Sequence, residues 1–449
     1  MTGDAIVVGG GLAGLVAATS LAESDVDVTL YERRPEVGGR VRSREVDGFT
    51  LDRGFQVLFT SYPAVTRELD VDDLNLRSFA PGATICRPGS RAVLSDPLRD
   101  PRHAVESAFN HEVPFSDKLR TLALRYDLSK RADEEFFAGR DASIREYLDD
   151  WGFSDAYVDH FIEPFYGGIT LDRTLSTSKH VFEYTFRAMG RGTIAVPADG
   201  MAALPRQLAE RARGAGVAIR TGEDVEALDV GDDRGDGGGG GSGGGGGRFR
   251  LGSGGPADGV RVELADGSTA DADLAVIAAT PPEARRLTGV ESVPEEGVPN
   301  VTQWYTLPEG IAFGTGKRIL LNAAAESPNA VVPMSEVAPE YAPDDRALLA
   351  ATFLGEDALE REAAALREDT RAALSAWFPE RGFEGLEVVD TDRIRFAQFA
   401  QPPGIHERLP EPDDPDGPVV LAGEFTEWSS IQGAMESGRR AAEAGLKYL

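Results

Sequence analysis

An uninterrupted apolar run at 5–8 opens the chain and predicts a strand buried on both faces. It stops at Gly9. Apolar positions Leu12, Leu15 and Val16, with Thr19, then recur at helical spacing, and a second strand is predicted over 26–31, closed by Glu32. Helical periodicity dominates residues 61–190, with predicted helices near 102–110, 116–137, 143–151 and 154–163. Ser143 and Glu146 have capping-box spacing, and Pro164 is expected to end the last of these apolar stripes. Between 191 and 285 the pattern alternates again: a helix over 202–213, then strands near 217–220, 249–251, 260–264 and 273–280, the last stopped by Pro281-Pro282. Residues 235–247 are almost pure glycine, interrupted by Asp236 and Ser242. Such a tract cannot bury a core, and because strand-like sequence resumes at once it predicts a flexible surface loop over 232–247, not a domain linker. Strand-like runs at 301–307, 318–322, 330–333 and 347–353 lead to a helix over 357–377 and a strand at 392–396. A final strand, 419–424, precedes a C-terminal helix that Ser430 is placed to cap.

Composition narrows the class. At 449 residues the chain has room for two domains, and its 41% apolar content is ordinary for a globular protein. No run approaches the ~18–20 apolar residues of a membrane span, and the first residues read as a strand, not a signal segment, so a cytoplasmic protein is expected. Charge is the unusual feature: 75 acids stand against 46 bases, net −29, and only Lys118, Lys130, Lys179, Lys317 and Lys447 of those bases are lysines. An acid surface of this kind argues against nucleic acid or an anionic membrane as a partner, since both would be repelled. The scattered acids resemble the composition of proteins from salt-loving archaea, in which salt screens the self-repulsion. Cys86 is the only cysteine, so no disulfide framework and no cysteine metal site is expected, and its predicted role is that of a small buried hydrophobe. His103, His111, His160, His180 and His406 show no metal-ligand spacing, and no metal is expected.

The opening stretch has a definite chemistry. Gly9, Gly11 and Gly14 fit G-x-G-x-x-G between a strand and a helix. Gly9 allows the tight turn, Gly11 leaves room for a pyrophosphate, and Gly14 lets the helix pack on the strand. The helix N-terminus, with Leu12 and Ala13, offers unpaired amides to phosphate. Glu32, 18 residues after Gly14, is placed to accept hydrogen bonds from a ribose.

Together with Tyr31-Glu32-Arg33-Arg34, Gly38-Gly39-Arg40 and Asp52-Arg53-Gly54, this stretch resembles the N-terminus of the flavin amine oxidase, phytoene desaturase and protoporphyrinogen oxidase superfamily. The resemblance implies an α/β protein with FAD as cofactor. A Rossmann-like FAD-binding domain would be built from 1–60, 191–285 and 401–449. A discontinuous α+β substrate domain would take 61–190 as a helical cap and 286–400 as a sheet. It implies that Glu32 binds the adenosine ribose, that Arg34 and Arg40, with Gly38 and Gly39, lie along the dinucleotide, and that Val225 contacts the adenine through its backbone. Gly54, Phe55 and Gln56 would sit beside the isoalloxazine ring, and Gly423 and Glu424 against the ribityl chain and phosphates. Ile431, Gln432, Gly433 and Ala434, at the start of the last helix, would face the pyrimidine edge.

The implied reaction is hydride transfer from a substrate C–H bond to the flavin. Many flavin amine oxidases place a lysine near the ring on the strand entering the sheet; the strand Val301-Thr-Gln-Trp-Tyr305 has none, and Lys317 lies later. The aromatics Phe153, Tyr157, Phe161, Phe165, Tyr166, Phe182, Tyr184 and Phe186 suit either an apolar tunnel or an ordinary helical core. Arg53, Gln56 and Tyr166 are the candidates for a catalytic polar group, each equally at home in a structural role. The reading is an FAD-dependent dehydrogenase or desaturase of an apolar, isoprenoid-like small molecule, with an amine oxidase or a protoporphyrinogen oxidase-like oxidase as the alternative and oxygen or a quinone as electron acceptor. The basic residues form no evident docking face, although residues 100–150 leave room for a peripheral membrane contact. Screening of the net −29 charge predicts a melting temperature that rises between dilute buffer and molar KCl; an unchanged value in a thermal melt would remove the salt-adapted reading.

Overall fold

The computed structural model describes residues 3–95, 113–231, 249–251, 259–308 and 313–449; the predicted helix at 102–110 and the glycine tract at 232–247 lie outside them. The strand Asp4–Val8, apolar on both faces, is the central member of a five-stranded parallel sheet in the order Ala218–Thr221, Asp27–Glu32, Asp4–Val8, Leu274–Ile277, Val419–Leu421. One face is covered by the helices Leu12–Ala22, Ile431–Gly445 and Ala203–Gly214. The other buries Ile6, Val8, Tyr31, Ala275 and Ile277 against Val225, Leu228, Val260 and Val262 of a four-stranded sheet. Strands from the beginning, middle and end of the chain thus share one parallel sheet.

A seven-stranded sheet forms the second body, in the order Glu387–Phe399, Gly297–Pro308, Arg346–Leu354, Ala330–Pro333, Ile319–Asn322, Ala83–Arg87, Ser90–Leu94. Its strand Gly297–Pro308 shows the two-residue alternation of a sheet with two different neighbours. Val301, Tyr305 and Leu307 pack with Leu366, Leu374 and Trp377 of the helix Ala363–Trp377, whereas Trp304 joins the core shared with the helical region. Cys86 is fully buried in this sheet, and burial pushes its thiol up.

Several elements differ from the sequence expectation. The hairpin Ala83–Arg87/Ser90–Leu94 falls inside the stretch read as a helical cap, yet it extends the seven-stranded sheet through parallel pairing with Ile319–Asn322. The helix predicted over 116–137 is Phe115–Ser129; the chain then turns so that Phe136 is buried against Tyr184 and beneath the Arg187 guanidinium. Pro164 does not end a helix. The helical backbone runs on through it from Asp155 to Thr170, and the wider π-helical turn at Val158–Ile162 just before it accommodates a residue with no N–H to donate. Pro281 starts the helix Pro281–Thr288. The helix predicted at 357–377 is broken into Glu356–Glu360 and Ala363–Trp377.

One buried carboxylate ties these bodies together. Asp52, at the end of the strand Phe49–Asp52, accepts hydrogen bonds from Ser43 Oγ (2.6 Å), Met201 N (2.8 Å) and Tyr341 Oη (3.0 Å). Burial pushes its carboxyl up to about 6, partly offset by those donors. The folded chain therefore holds this proton more tightly than the unfolded chain, and Asp52 lowers stability as pH rises from about 4 to about 6. Asp52→Asn, which resembles the protonated form, is expected to flatten the fall in stability over that interval. Denaturant titrations of both proteins across pH at fixed salt check this, and identical slopes would refute it.

Candidate active site

The first turn is shaped by contacts that exclude a side chain. Gly9 has φ +110°, and a Cβ there would stand 2.5 Å from the Ala278 carbonyl oxygen; a Cβ on Gly14 would stand 2.0 Å from that of Gly9. A Cβ on Gly11 would meet nothing within 4 Å, because Gly11 fronts a cleft. Glu32 is buried and accepts from the Gly10 amide at 2.8 Å and the Arg34 amide at 2.9 Å, locking the turn to the second strand. The Gly38 amide donates to Gly10 O at 2.7 Å, folding the Gly38-Gly39-Arg40 segment back over the cradle, and Arg34 Nη1 donates to Gly39 O.

The cleft brings together most of the residues singled out from the sequence. Gly9, Gly11, Leu12, Ala13, Glu32 and Arg34 line it, with Gly38, Gly39 and Arg40 beside them and Val225, Gly423, Glu424 and Ala434 opposite. Leu12, Arg40, Glu424 and Ala434 also border a second cavity of about 220 Å³, which holds Arg53, Gly54, Phe55, Gln56 and Ile431. The two form one groove whose junction is marked by the Arg40–Glu424 ion pair. Three residues stand back from it. Gly14 packs the helix on the turn, the Gln432 side chain accepts from the Ala64 amide at 2.8 Å, and Gly433 donates to the capping Ser430 Oγ at 2.7 Å and abuts the Trp428 carbonyl.

At the second cavity the 53–56 segment is pinned from the sheet above. Gly54 N donates to Asp392 Oδ2 (3.2 Å) and Phe55 N to Thr302 Oγ1 (3.1 Å), while Trp304 Nε1 and Arg44 hold the same Asp392. Gln56 Nε2 donates to the carbonyls of Arg40 and Arg53, so its amide fixes the loop. Arg53 lines the cavity; burial and then the nearby Arg34 lower its pKa. Asn300 and Gln398 also line it and were missed in the sequence. The available signal was polar residues at alternate positions, Asn300 and Thr302, in a strand whose remaining residues are mostly apolar. Asn300 Oδ1 and Glu424 Oε1 are buried acceptors without a partner among the described residues.

Tyr166 lies elsewhere. It lines a separate apolar cavity of about 420 Å³ with Phe79, Tyr157, Phe161, Phe165 and Phe186. Burial raises its phenol well above the usual value, which removes it as a base near neutral pH. Phe153, Phe182 and Tyr184 pack in the core. The helix Glu163–Thr170 serves both cavities: Phe165 and Tyr166 face the apolar one, and Gly168 and Ile169 line the other. Phe55 of one and Phe79 of the other meet edge to face at 6.2 Å.

The groove fits a flavin dinucleotide on its own features: an open Gly11 front at a helix N-terminus, a buried acid on the second strand, two lobes in line, and unpaired acceptors at the junction and in the second lobe. Comparison with known proteins agrees. The family model of flavin containing amine oxidoreductases matches residues 12–445. Among curated proteins the chain is similar to protoporphyrinogen oxidase 2 of Arabidopsis thaliana, 28% identical over 177 residues that cover 39% of this chain and 34% of that protein. It is also similar to a carotenoid phi-ring synthase of Streptomyces griseus (52% over 69 residues, 14% of this chain and 13% of that protein) and a 4,4'-diaponeurosporene oxygenase of Staphylococcus aureus (45% over 62 residues, 14% and 12%). These matches span at most about a third of the relatives' length. Among solved structures, a Methanosarcina mazei oxidoreductase superposes with TM-score 0.70 at 16% identity, covering 99% of this chain and 100% of that one. A putrescine oxidase superposes with TM-score 0.69 at 18% identity, covering 100% and 99%. At these identities both show a shared fold.

The glycine geometry separates two roles. Gly11→Val is expected to leave the melting temperature of the cofactor-free chain within about 2 °C, since its side chain enters open space, and to abolish the flavin absorbance of the purified protein. Gly14→Val, driven into the Gly9 carbonyl, is expected to lower that melting temperature as well. Equal destabilisation by both would contradict the cleft. With the groove and the match over residues 12–445 in agreement, the chain belongs to the flavin-containing amine oxidoreductases and is an FAD-dependent oxidoreductase.

Proposed function

We propose that the chain dehydrogenates a bulky apolar substrate of isoprenoid type, seated in the 420 Å³ cavity with its reacting carbons at the Phe55–Phe79 contact. The observation that carries this is the cavity's lining: among the described residues aromatic and aliphatic side chains dominate it, and none is Asp or Glu. When bound, FAD accepts the hydride. Loss of a hydride and of a proton from the neighbouring carbon would leave a carbon–carbon double bond, the electron pair going on to oxygen or a quinone and the proton to solvent. The protein's own part is placement. Phe55 and Phe79 position the chain, the helix Glu163–Thr170 bounds both spaces, and the pinned 53–56 segment holds the wall against which the substrate reacts. The two carotenoid-related relatives are in keeping with this reading.

Amine oxidation is the second reading, raised by the fold shared with putrescine oxidase. Among the described residues the charged side chains on the cavity lining are the cations Lys118 and Arg125, with no carboxylate to pair an ammonium, and no lysine lines the second lobe of the groove. Organic extraction and mass spectrometry of gently purified holoprotein are expected to yield an isoprenoid-sized apolar compound. Anaerobic mixing with that compound should bleach the oxidised flavin spectrum. Bleaching by a polyamine, with none by any apolar compound, would overturn the proposal.

A further inference from the structure

The helix Phe115–Ser129 is apolar on two opposite faces. Leu124 and Leu128 are buried, and Asp117 on that inward side is buried with its carboxylate held by Ser154 and Arg120. Two residues out of phase, about 200° around the helix, Phe115, Leu119, Leu122 and Tyr126 repeat at i, i+4, i+7 and i+11. They are 67, 53, 42 and 65% exposed, half of all the large hydrophobic side chains that stand exposed among the described residues. Leaving one apolar side chain in water is ordinary; a stripe of four on one helix, in a chain this acidic, marks a surface that meets something. Three of the four, Phe115, Leu119 and Leu122, also belong to the lining of the apolar cavity, so the stripe is the lip of its mouth.

Charge says what meets it. The whole chain carries 75 acids against 46 bases, yet residues 115–131 hold Lys118, Arg120, Arg125, Lys130 and Arg131 against Asp117 and Asp127. Asp117 is turned inward and Asp127 pairs with Arg131. Lys118 and Arg125 sit at the lip, and the Lys130 ammonium lies 3.9 Å over the Tyr126 ring. Of the acids that follow, Asp133 pairs with Arg187 and Glu135 accepts from the Ala132 amide. An apolar stripe flanked by cations, with an aromatic at each end, is the composition of a helix that lies in a bilayer interface. A second copy of the chain docked face to face would bring like charges together around the stripe. Among the described residues no helix is long and apolar enough to cross a membrane, so the contact is one of surface insertion.

We infer that the outer face of the helix Phe115–Ser129 docks on a lipid bilayer bearing anionic headgroups and opens the apolar cavity toward it. The docking itself stands on the stripe and its charges; the idea that substrate enters this way rests on the proposed apolar substrate. The full-length, FAD-loaded chain is expected to sediment with phosphatidylcholine vesicles containing phosphatidylglycerol. The variant F115S/L119S/L122S/Y126S is expected to lose at least about tenfold in vesicle affinity, with flavin absorbance and melting temperature retained. Y126C carrying a polarity-sensitive fluorophore, Cys86 being buried, should shift to the blue when those vesicles are added. K118E/K130E should weaken binding to phosphatidylglycerol vesicles more than to pure phosphatidylcholine.

Undiminished sedimentation of the quadruple variant, or no spectral shift at residue 126, would overturn the docking face. So would light scattering that shows a wild-type dimer dissolved by the quadruple variant. Binding of a polyene probe, retinol, in vesicle-free buffer tests the cavity separately. Vesicle binding without retinol binding sinks the apolar substrate and keeps the docking face; retinol binding without vesicle binding does the reverse.

Discussion

Everything at the cofactor groove depends on backbone meeting backbone without a side chain between. The helix Leu12–Ala22 reaches its place only because Gly14 has no Cβ to strike the Gly9 carbonyl, and the helix Ile431–Gly445 lies against it only because Gly438 has none to strike Ala13 O, which a Cβ would approach to 2.3 Å. Two further hydrogen bonds close the same region, Gly10 N to Glu32 and Gly38 N to Gly10 O. The first and last segments of the chain are brought within backbone contact, so Gly11 and Ala13 share a cleft with Gly423 and Glu424. A site assembled from loops alone would lack that rigidity.

The second lobe of the groove is built differently. The helices Leu12–Ala22 and Ile431–Gly445 contribute Leu12, Ile431 and Ala434, and the helix Glu163–Thr170 and the seven-stranded sheet contribute Gly168, Ile169, Asn300, Ile394 and Gln398. Asp392 gathers Gly54 N, Trp304 and Arg44, and Asp52 gathers Ser43, Met201 and Tyr341. Asp392 thus joins the 53–56 segment to the seven-stranded sheet, and Asp52, just before that segment, joins it to the elements that carry Met201 and Tyr341. The Ala83–Leu94 hairpin carries the sheet round to the apolar cavity, where Leu94 and Ser95 join the lining. Distance between the two spaces is then set by Phe55 and Phe79, held by separate backbones.

Sequence patterns exposed the strand, turn and helix around the groove because their signals are local. A strand, three spaced glycines, a helix and Glu32 follow one another within thirty-odd residues, and Ser430 caps its helix as its position predicts. Gln432 and Gly433 enter the expected site through family resemblance; in the folded chain the Gln432 side chain accepts from Ala64 N and Gly433 N donates to Ser430 Oγ. The helical region misled where a local rule has two outcomes. Pro164 is read as a stop, but the helical backbone runs on through it, and only the preceding π-helical turn shows how a residue without an N–H is accommodated. The hairpin at 83–94 alternates too weakly to reveal its distant partner, Ile319–Asn322, and Asn300 acquires its meaning from burial beside the groove. The double-faced character of Phe115–Ser129 is legible as periodicity, but which stripe faces outward is decided by tertiary packing.

The order of strands in the parallel sheet has a bearing on how the protein is made. Val419–Leu421 is an edge strand, paired only with Leu274–Ile277, and the helix Ile431–Gly445 seals the cradle formed by the first forty residues. During synthesis the N-terminal strand, turn and helix leave the ribosome long before their partners exist. They must wait, exposed, for nearly the whole chain to emerge. The seven-stranded sheet, whose strands after the early hairpin all lie within 297–399, can assemble sooner. The wall of the cleft that carries Gly423, Glu424 and Ala434 is consequently made long after the turn it faces, and a nascent chain that has not reached residue 434 lacks that wall.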